Sequence, residues 1–350
     1  MLNLNNIYTN KTVLITGHTG FKGAWLSIWL NKLGAKVIGF SLEKWDNDYL
    51  FNHGQLSEKI VDERGDINDL KRIKEIFEKY NPEIVFHLAA QPLVRESYDI
   101  PVETFNTNII GTVNVLECIR NSNSVKAGVM ITTDKCYKNK EKDEGYTEED
   151  ELGGHDPYSA SKACAELVID SYRKSFFENK YIASVRAGNV IGGGDYSKDR
   201  LIPDCVNHIK NNEEIIIRNP TATRPWQHVL EPLYGYLLLG TKLLNGNKQF
   251  CQAYNFGPEK ESIISVKEIV EKVIQTWGSG NWADLSREAK KHETKTLSLN
   301  ISKIKNELGW VPKWDIDETI KQTVEWYINP DSNLKYELCL EQIKEYEDKK

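Results

Sequence analysis

Short apolar runs rich in β-branched residues alternate with longer amphipathic stretches through the first half of this chain. Thr12–Thr16, Lys36–Phe40, Ile84–Leu88, Ala127–Thr132 and Ile182–Arg186 read as strands, each short and apolar at most positions. Between them, Phe21–Leu33, Leu70–Tyr80, Val102–Arg120 and Ser159–Phe177 carry apolar side chains at helical spacing. Strands alternating with helices of this length predict an α/β fold, a doubly wound parallel sheet covered on both faces. Asp156-Pro157 offers the last of these helices an N-cap and a first-turn proline. Trp25 and Trp29, four apart on the first helix, read as core packing.

After Arg186 the alternation loosens into GNVIGGGDY, and the remainder predicts a smaller, mostly C-terminal lobe. The expected division is 1–187 for the nucleotide-binding domain, rejoined by about 227–257, with 188–226 and 258–340 forming the second domain. The charged run KNKEKDEGYTEEDELGGH, residues 138–155, predicts a solvated, mobile connection. A turn at Leu308-Gly309-Trp310 and a last helix near Ile316–Tyr327 should precede a solvated tail, EYEDKK.

Composition narrows the function classes. At 350 residues, with 40% hydrophobic and 27% charged positions, the chain can bury a sizeable core. A net charge of -6 with both signs dispersed gives no general reason to bind nucleic acid. Cys118, Cys136, Cys164, Cys205, Cys251 and Cys339 are scattered without a CxxC pair, and no histidine pattern suits a metal. No signal-type core opens the sequence and no apolar run approaches membrane-spanning length. The expectation is a cytoplasmic protein with no metal, no membrane and no nucleic-acid partner.

In VLITGHTGFKG a strand runs into Gly17, Gly20 and Gly23, with a helix starting near Phe21. That order suits a dinucleotide: glycines allow a tight turn and close approach of a pyrophosphate, which then faces a helix N-terminus. Glu43 stands 20 residues after Gly23, where an acid would meet an adenosine ribose, but it lies past the strand end, so Ser41 is the alternative. No arginine follows this strand, which favours NAD over NADP. Asp66, Ile67, Leu88, Ala89 and Ala90 close later strands and should border the same crevice. His87 reads as a structural histidine.

DPYSASK puts Tyr158 and Lys162 one helical turn apart on the same face. A lysine ammonium near a phenol favours the phenolate, which can take a hydroxyl proton while hydride leaves the same carbon. Thr133, ending a strand, can fix that hydroxyl by hydrogen bonding. Directly after it stand an acid and a base, Asp134 and Lys135.

TGxxGxxG, YxxxK and RxGNVxG together resemble the extended short-chain dehydrogenase/reductase superfamily of NAD-dependent nucleotide-sugar enzymes, over nearly the whole chain. Within it GHTGFKGAWL, HLAAQPLVRESY, TTDKCY, GGHDPYSASKACAEL, RAGNVIGGGD, DRLIPD and TRPWQHVLEPL resemble its 4,6-dehydratases. The resemblance implies NAD as cofactor, bound at Gly17, His18, Gly20, Phe21, Lys22, Gly23, Ser41, Asp66, Ile67, Leu88, Ala89, Ala90, Tyr158 and Lys162. It implies a Thr133, Tyr158 and Lys162 triad for oxidation at the sugar C4, then loss of the C5 proton with the C6 hydroxyl as water, then return of hydride to C6.

An elimination needs an acid and a base, and by this resemblance Asp134 is the acid. Lys135 is either a neutral C5 base or a cation that stabilises the enolate. Moving a proton from lysine to aspartate in water costs roughly 9 kcal/mol, so the base reading needs a strongly shifted environment. Asn189, Arg200, Arg218 and Arg224 fall where relatives gather nucleotide-diphosphate contacts. Nothing in the residues themselves identifies the nucleotide base. His18 and Lys22 depart from the small and apolar residues of relatives, which implies weaker NAD binding. Relatives pair through two helices, matching Val102–Arg120 and Ser159–Phe177, which implies a homodimer or homotetramer.

Overall fold

A computed structural model describes residues 4–43, 50–142, 144–197, 199–285, 297–331 and 334–349. Seven parallel strands form the central sheet: β1 (Thr12–Thr16), β2 (Lys36–Ser41), β3 (Val61–Arg64), β4 (Ile84–His87), β5 (Ala127–Ile131), β6 (Tyr181–Ala187) and β7 (Ala253–Phe256). Their order is β7-β6-β5-β4-β1-β2-β3. The chain winds outward from β1 to β3, then crosses back to β4, so the crevice opens between the ends of β1 and β4.

Both faces are covered, which is why the strands are apolar almost throughout. Trp25, Ile28 and Trp29 of helix Phe21–Lys32 pack on one face with Leu233, Leu237 and Leu239 of helix Leu230–Leu244. Ile73, Ile76 and Phe77 of helix Leu70–Tyr80, and Val115, Leu116 and Ile119 of helix Gly111–Asn121, cover the other. The five strands expected from sequence lie where the apolar runs placed them. Val61–Arg64 and Ala253–Phe256 complete the sheet.

Helix Pro157–Phe176 starts as its sequence proposes, with the Asp156 side chain accepting from the Ser159 backbone N–H. The expected helix over Val102–Arg120 is instead three joined pieces, Pro101–Phe105, a π turn at Asn106–Ile110, and Gly111–Asn121. The wider turn holds Asn108 inward, where it bonds the Gln91 backbone and the Ser161 hydroxyl.

Two expectations are overturned, one of them in part. The 138–155 stretch is not a mobile connection: Tyr146 is buried and stacks on Tyr137, with ring centroids 5.2 Å apart. Backbone bridges tie Tyr137 to Leu152 and Tyr146 to Leu299. Aromatic burial outweighs the charge that the sequence advertises. The solvated tail fails in part: helix Lys335–Asp348 runs into it and buries Cys339, Ile343 and Tyr346, while Glu345, Asp348 and Lys349 are exposed as expected. Those residues recur at helical spacing, and Asn329-Pro330 marks the break before them.

Beyond the main sheet, three small strand pairs form among the described residues: Val190–Ile191 with Gln227–His228, Ile215–Ile217 with Trp282–Asp284, and Thr223–Pro225 with Ile263–Ser265. Helix Val266–Trp277 packs on helix Ile316–Ile328 beside them. Among the described residues no helix is long and apolar enough to cross a membrane.

Candidate active site

Gly17 turns the chain at the end of β1 with φ +76°, and a Cβ there would lie 2.7 Å from the Ala89 backbone N. A Cβ at Gly23 would lie 2.1 Å from the Gly17 carbonyl oxygen. The turn, the helix and the loop after β4 therefore meet at backbone distance, which only glycine permits. Gly20 is the N-cap of helix Phe21–Lys32 and supplies no side-chain bond, so the first backbone N–H groups are left for an anion. These features fit a dinucleotide pyrophosphate. Phe21 is buried towards Gly192.

Around this cradle, Ser41 Oγ accepts from Thr19 N at 3.5 Å. Asp66 accepts from the Asn68 backbone and side chain, Ile67 is buried, and Leu88, Ala89 and Ala90 are half-buried. His87 is internally satisfied. Its Nε2 lies 3.1 Å from the Thr112 hydroxyl, which itself donates to Asn108 O, so Nε2 carries the proton and Nδ1 accepts from Thr16. Burial, with Lys162 adding to it, lowers this imidazole to about 3, and it stays neutral.

His18 does not crowd the turn. Its ring lies flat in the fold over Gly39, where a Cβ would come within 2.2 Å of Cδ2, and Nε2 bonds Asp62 at 2.8 Å. Lys22 points the other way: burial, and then the charge of Arg200, lower its amine to about 7, while Asp134 opposes and Lys162 and Lys135 add to the fall. Its charge is thus placed among the catalytic candidates.

Thr133, Asp134 and Lys135 form a tight turn after β5. Asp134 is buried, and its Oδ1 accepts from the Thr133 hydroxyl at 3.0 Å and from Lys135 Nζ at 3.2 Å. Lys135 Nζ also donates to Asn189 Oδ1 at 3.4 Å, so Asn189, a candidate substrate contact, meets the Asp134–Lys135 pair. Tyr158 and Lys162 are both buried beside this turn. The phenol is not near neutrality: burial pushes it up to about 12, opposed by the Thr133 hydroxyl and by the charge of Arg200. Lys162 is brought down to about 8 by burial, with Glu166 opposing, and it donates to Ile131 O at 3.4 Å.

Arg200 is held by the buried Asp195 at 3.1 Å, and its charge reaches both Tyr158 and Lys22. Arg224 donates to Thr223 O, and the next residue, Pro225, abuts Gly188 beside Asp134. Arg218 is exposed past Ile215–Ile217, where the group that feels its charge is Asp204. Sequence reasoning missed Glu166 and Arg186, a buried pair at 2.7 Å behind Lys162. An acid four residues after Lys162 was the available signal. No group of three or more metal-ligating side chains occurs among the described residues.

Residues 14–323 match the family described as GDP-mannose 4,6 dehydratase. The chain is 47% identical over 330 residues to CDP-glucose 4,6-dehydratase of Salmonella typhimurium, covering 92% of each. It is 28% identical to dTDP-glucose 4,6-dehydratase of Haemophilus influenzae, covering 90% of this chain and 97% of that one. Among solved structures, dTDP-glucose 4,6-dehydratase from Bacillus anthracis in complex with NAD superposes with a TM-score of 0.78 at 23% identity, covering 92% of this chain and 98% of that one, a likeness of fold.

Proposed function

The chain belongs to the GDP-mannose 4,6-dehydratase family, and from that membership we propose that it is an NAD-dependent hydro-lyase converting CDP-D-glucose to CDP-4-dehydro-6-deoxy-D-glucose and water. The observation that carries this is the 47% identity to a CDP-glucose 4,6-dehydratase across 92% of both chains. The Asp134–Lys135 pair beside Thr133 supports it, since an epimerase or a decarboxylase on this fold leaves that pair without a task.

The Gly17, Gly20 and Gly23 turn, with Ser41, Asp66 and the loop after β4, would hold NAD, which would supply the hydride acceptor for C4 and the hydride donor for C6. Tyr158 takes the 4-hydroxyl proton and Thr133 orients that hydroxyl. With burial holding the phenol at about 12, its ionisation is favoured by the Thr133 hydroxyl and the Arg200 charge, and in this proposal Lys162, one helical turn away, adds to them. Asp134 protonates the departing C6 hydroxide. Its contact with Lys135 at 3.2 Å is a path for the required proton. Passing one from Nζ to the carboxylate leaves an amine to remove the C5 proton and an acid to meet the C6 oxygen. The alternative keeps Lys135 cationic against the enolate. Asn189, Arg200, Arg218 and Arg224 hold the diphosphate from the smaller domain, 188–226 and 258–340. Either way the cofactor is regenerated, and no outside redox partner is needed.

We place the enzyme in the cytoplasm, supplying deoxysugars for surface polysaccharide such as lipopolysaccharide O-antigen. Val102, Phe105, Ile110 and Leu167 are exposed on the helices expected to pair, which supports a homodimer or homotetramer, readable by light scattering. The test of function is incubation with CDP-glucose followed by alkali: a 4-keto sugar absorbs in the ultraviolet, an epimer does not. Recovery of CDP-glucose or its epimer alone would overturn the assignment. Lys135→Met with solvent deuterium exchange at C5 tests whether Lys135 takes part: unchanged exchange and turnover would remove it from the chemistry.

A further inference from the structure

Glu166 follows Lys162 by one helical turn, and both side chains reach the end of β5 at adjacent residues. The amine donates to Ile131 O at 3.4 Å and the carboxylate accepts from the Thr132 hydroxyl. Glu166 is 2% exposed. Its other oxygen accepts from Ser184 Oγ at 2.9 Å and from Arg186 Nη2 at 2.7 Å. Arg186 continues through Nη1 to the Tyr137 hydroxyl at 2.8 Å, which donates to Asn255. This network ties helix Pro157–Phe176 to β6 and to the residue following the Asp134–Cys136 turn.

We propose that Glu166 is a positioning residue for the dehydratase: its carboxylate, kept ionised by Arg186, is the counter-charge that keeps Lys162 an ammonium inside a buried site. The inference rests on reading Tyr158 and Lys162 as the redox pair. Other groups facing Lys162 cannot do this. His87, from β4, stays neutral, and Lys22, from the first helix, is a like charge. Tyr158, on the same helix, is held protonated by burial. The two groups that favour the ammonium are Glu166 and Cys136, and burial pushes the Cys136 thiol well above its ordinary range, so it carries no charge. Removing the Glu166 charge leaves burial unopposed. Lys162 then loses its proton at lower pH, and with it the help that Tyr158 needs to ionise.

Activity should therefore fail on the alkaline side as Lys162 deprotonates, and at lower pH without Glu166. In holoenzyme turning over CDP-glucose, Glu166→Gln should move the alkaline limb of kcat down by about one pH unit, a loss of about fivefold at pH 8 that approaches tenfold above pH 9, with KM nearly unchanged. Glu166→Asp, which keeps the charge, should restore the limb towards its original position. Should Glu166→Gln fold poorly, the double variant Glu166→Gln with Arg186→Met leaves no unpaired charge, and because it also removes the Arg186 cation its limb must fall between those of the parent and the single variant. A folded variant lacking Glu166 whose limb stays at the original pH overturns the proposal. NMR titration of 13C-labelled lysines, with the Lys162 signal identified by its loss in Lys162→Met, reads the same shift without substrate. Failure to turn over CDP-glucose thus sinks the functional assignment alone, while an unmoved Lys162 titration sinks the role of Glu166.

Discussion

Two buried glutamates at opposite sides of the molecule have similar surroundings and opposite behaviour. Glu166, one helical turn after Lys162, accepts from Thr132, Ser184 and Arg186. Glu231, under the C-terminal helix, accepts from Lys313 N at 2.9 Å, Trp314 N at 2.7 Å and the Tyr346 hydroxyl at 2.5 Å. Burial pushes both carboxyls up. At Glu166 the Arg186 charge and the hydrogen bonds overcome it and hold the group below the ordinary carboxylate range. At Glu231 burial wins, and the group rises to about 7. The nearby Lys313 ammonium is spent on the Tyr346 and Glu347 carbonyls and acts on Glu231 only through space. Three hydrogen bonds soften burial, whereas a contacting guanidinium reverses it. The charged pair sits next to the candidate redox lysine, Lys162. The glutamate without such a pair fastens a helix.

The largest effect should come from breaking the pair on one side only. Arg186→Met leaves Glu166 unpaired in the interior, where it must carry an uncompensated charge or take up a proton, and should cost about 3–5 kcal/mol, read as a fall in the urea midpoint at pH 7. Adding Glu166→Gln to it should recover most of that loss. If the single and double variants are equally unstable, packing rather than charge distinguishes the two sites, and the comparison fails.

Glu231 gives the next largest effect, with a defined sign. A carboxyl held near 7 when folded, against an ordinary 4.5, binds more proton in the folded state between those values. Stability is therefore lost as pH rises from about 4.5 through about 7, by something of order 3 kcal/mol. Glu231→Gln removes that dependence while keeping an acceptor for Lys313 N and Trp314 N. The variant should match the parent near pH 5 and exceed it at pH 8 in urea unfolding. A parent as stable at pH 8 as at pH 5, relative to the variant, would show Glu231 ionised at no cost.

This contrast explains what was legible in the sequence. The glycine turn, the strands and the Tyr158–Lys162 pair are local: spacing alone puts the groups on one face or at one turn. The partners that set charge are remote. Glu166 meets Ser184 and Arg186 across 18 and 20 residues, and Glu231 meets Tyr346 across 115. Local reading hence gave Tyr158 a lysine to lower its phenol but not the burial that raises it. For the same reason the 138–155 stretch looked solvated: the aromatic contact between Tyr137 and Tyr146, and the bridge from Tyr146 to Leu299, appear only once the chain is folded. His18 shows it at one site, since its bulk is relieved by Gly39, which is 21 positions away in the sequence and in contact in the fold.

Lys22 offers the smallest and sharpest extension, because it is the cationic counterpart of Glu231: a buried group brought to about 7 with no contacting counter-ion among the described residues. Its charge is felt alongside those of Arg200, Lys162 and Lys135, at the end of the crevice where the Tyr158 phenol lies. Oxidised nicotinamide brings one more positive charge to that end and the reduced ring brings none, so an ammonium at Lys22 disfavours NAD+ more than NADH. Lys22→Ile should therefore tighten NAD+ by about tenfold at pH 6, where Lys22 is charged, and NADH by much less. In the parent, affinity for NAD+ should rise between pH 6 and 8 as Lys22 loses its proton, while in the variant it should be nearly flat. Calorimetric titration at the two pH values checks both. Weaker NAD+ binding by the variant at pH 6 would mean that Lys22 reaches the pyrophosphate instead, and that a buried amine can find its counter-charge in the ligand when the protein supplies none.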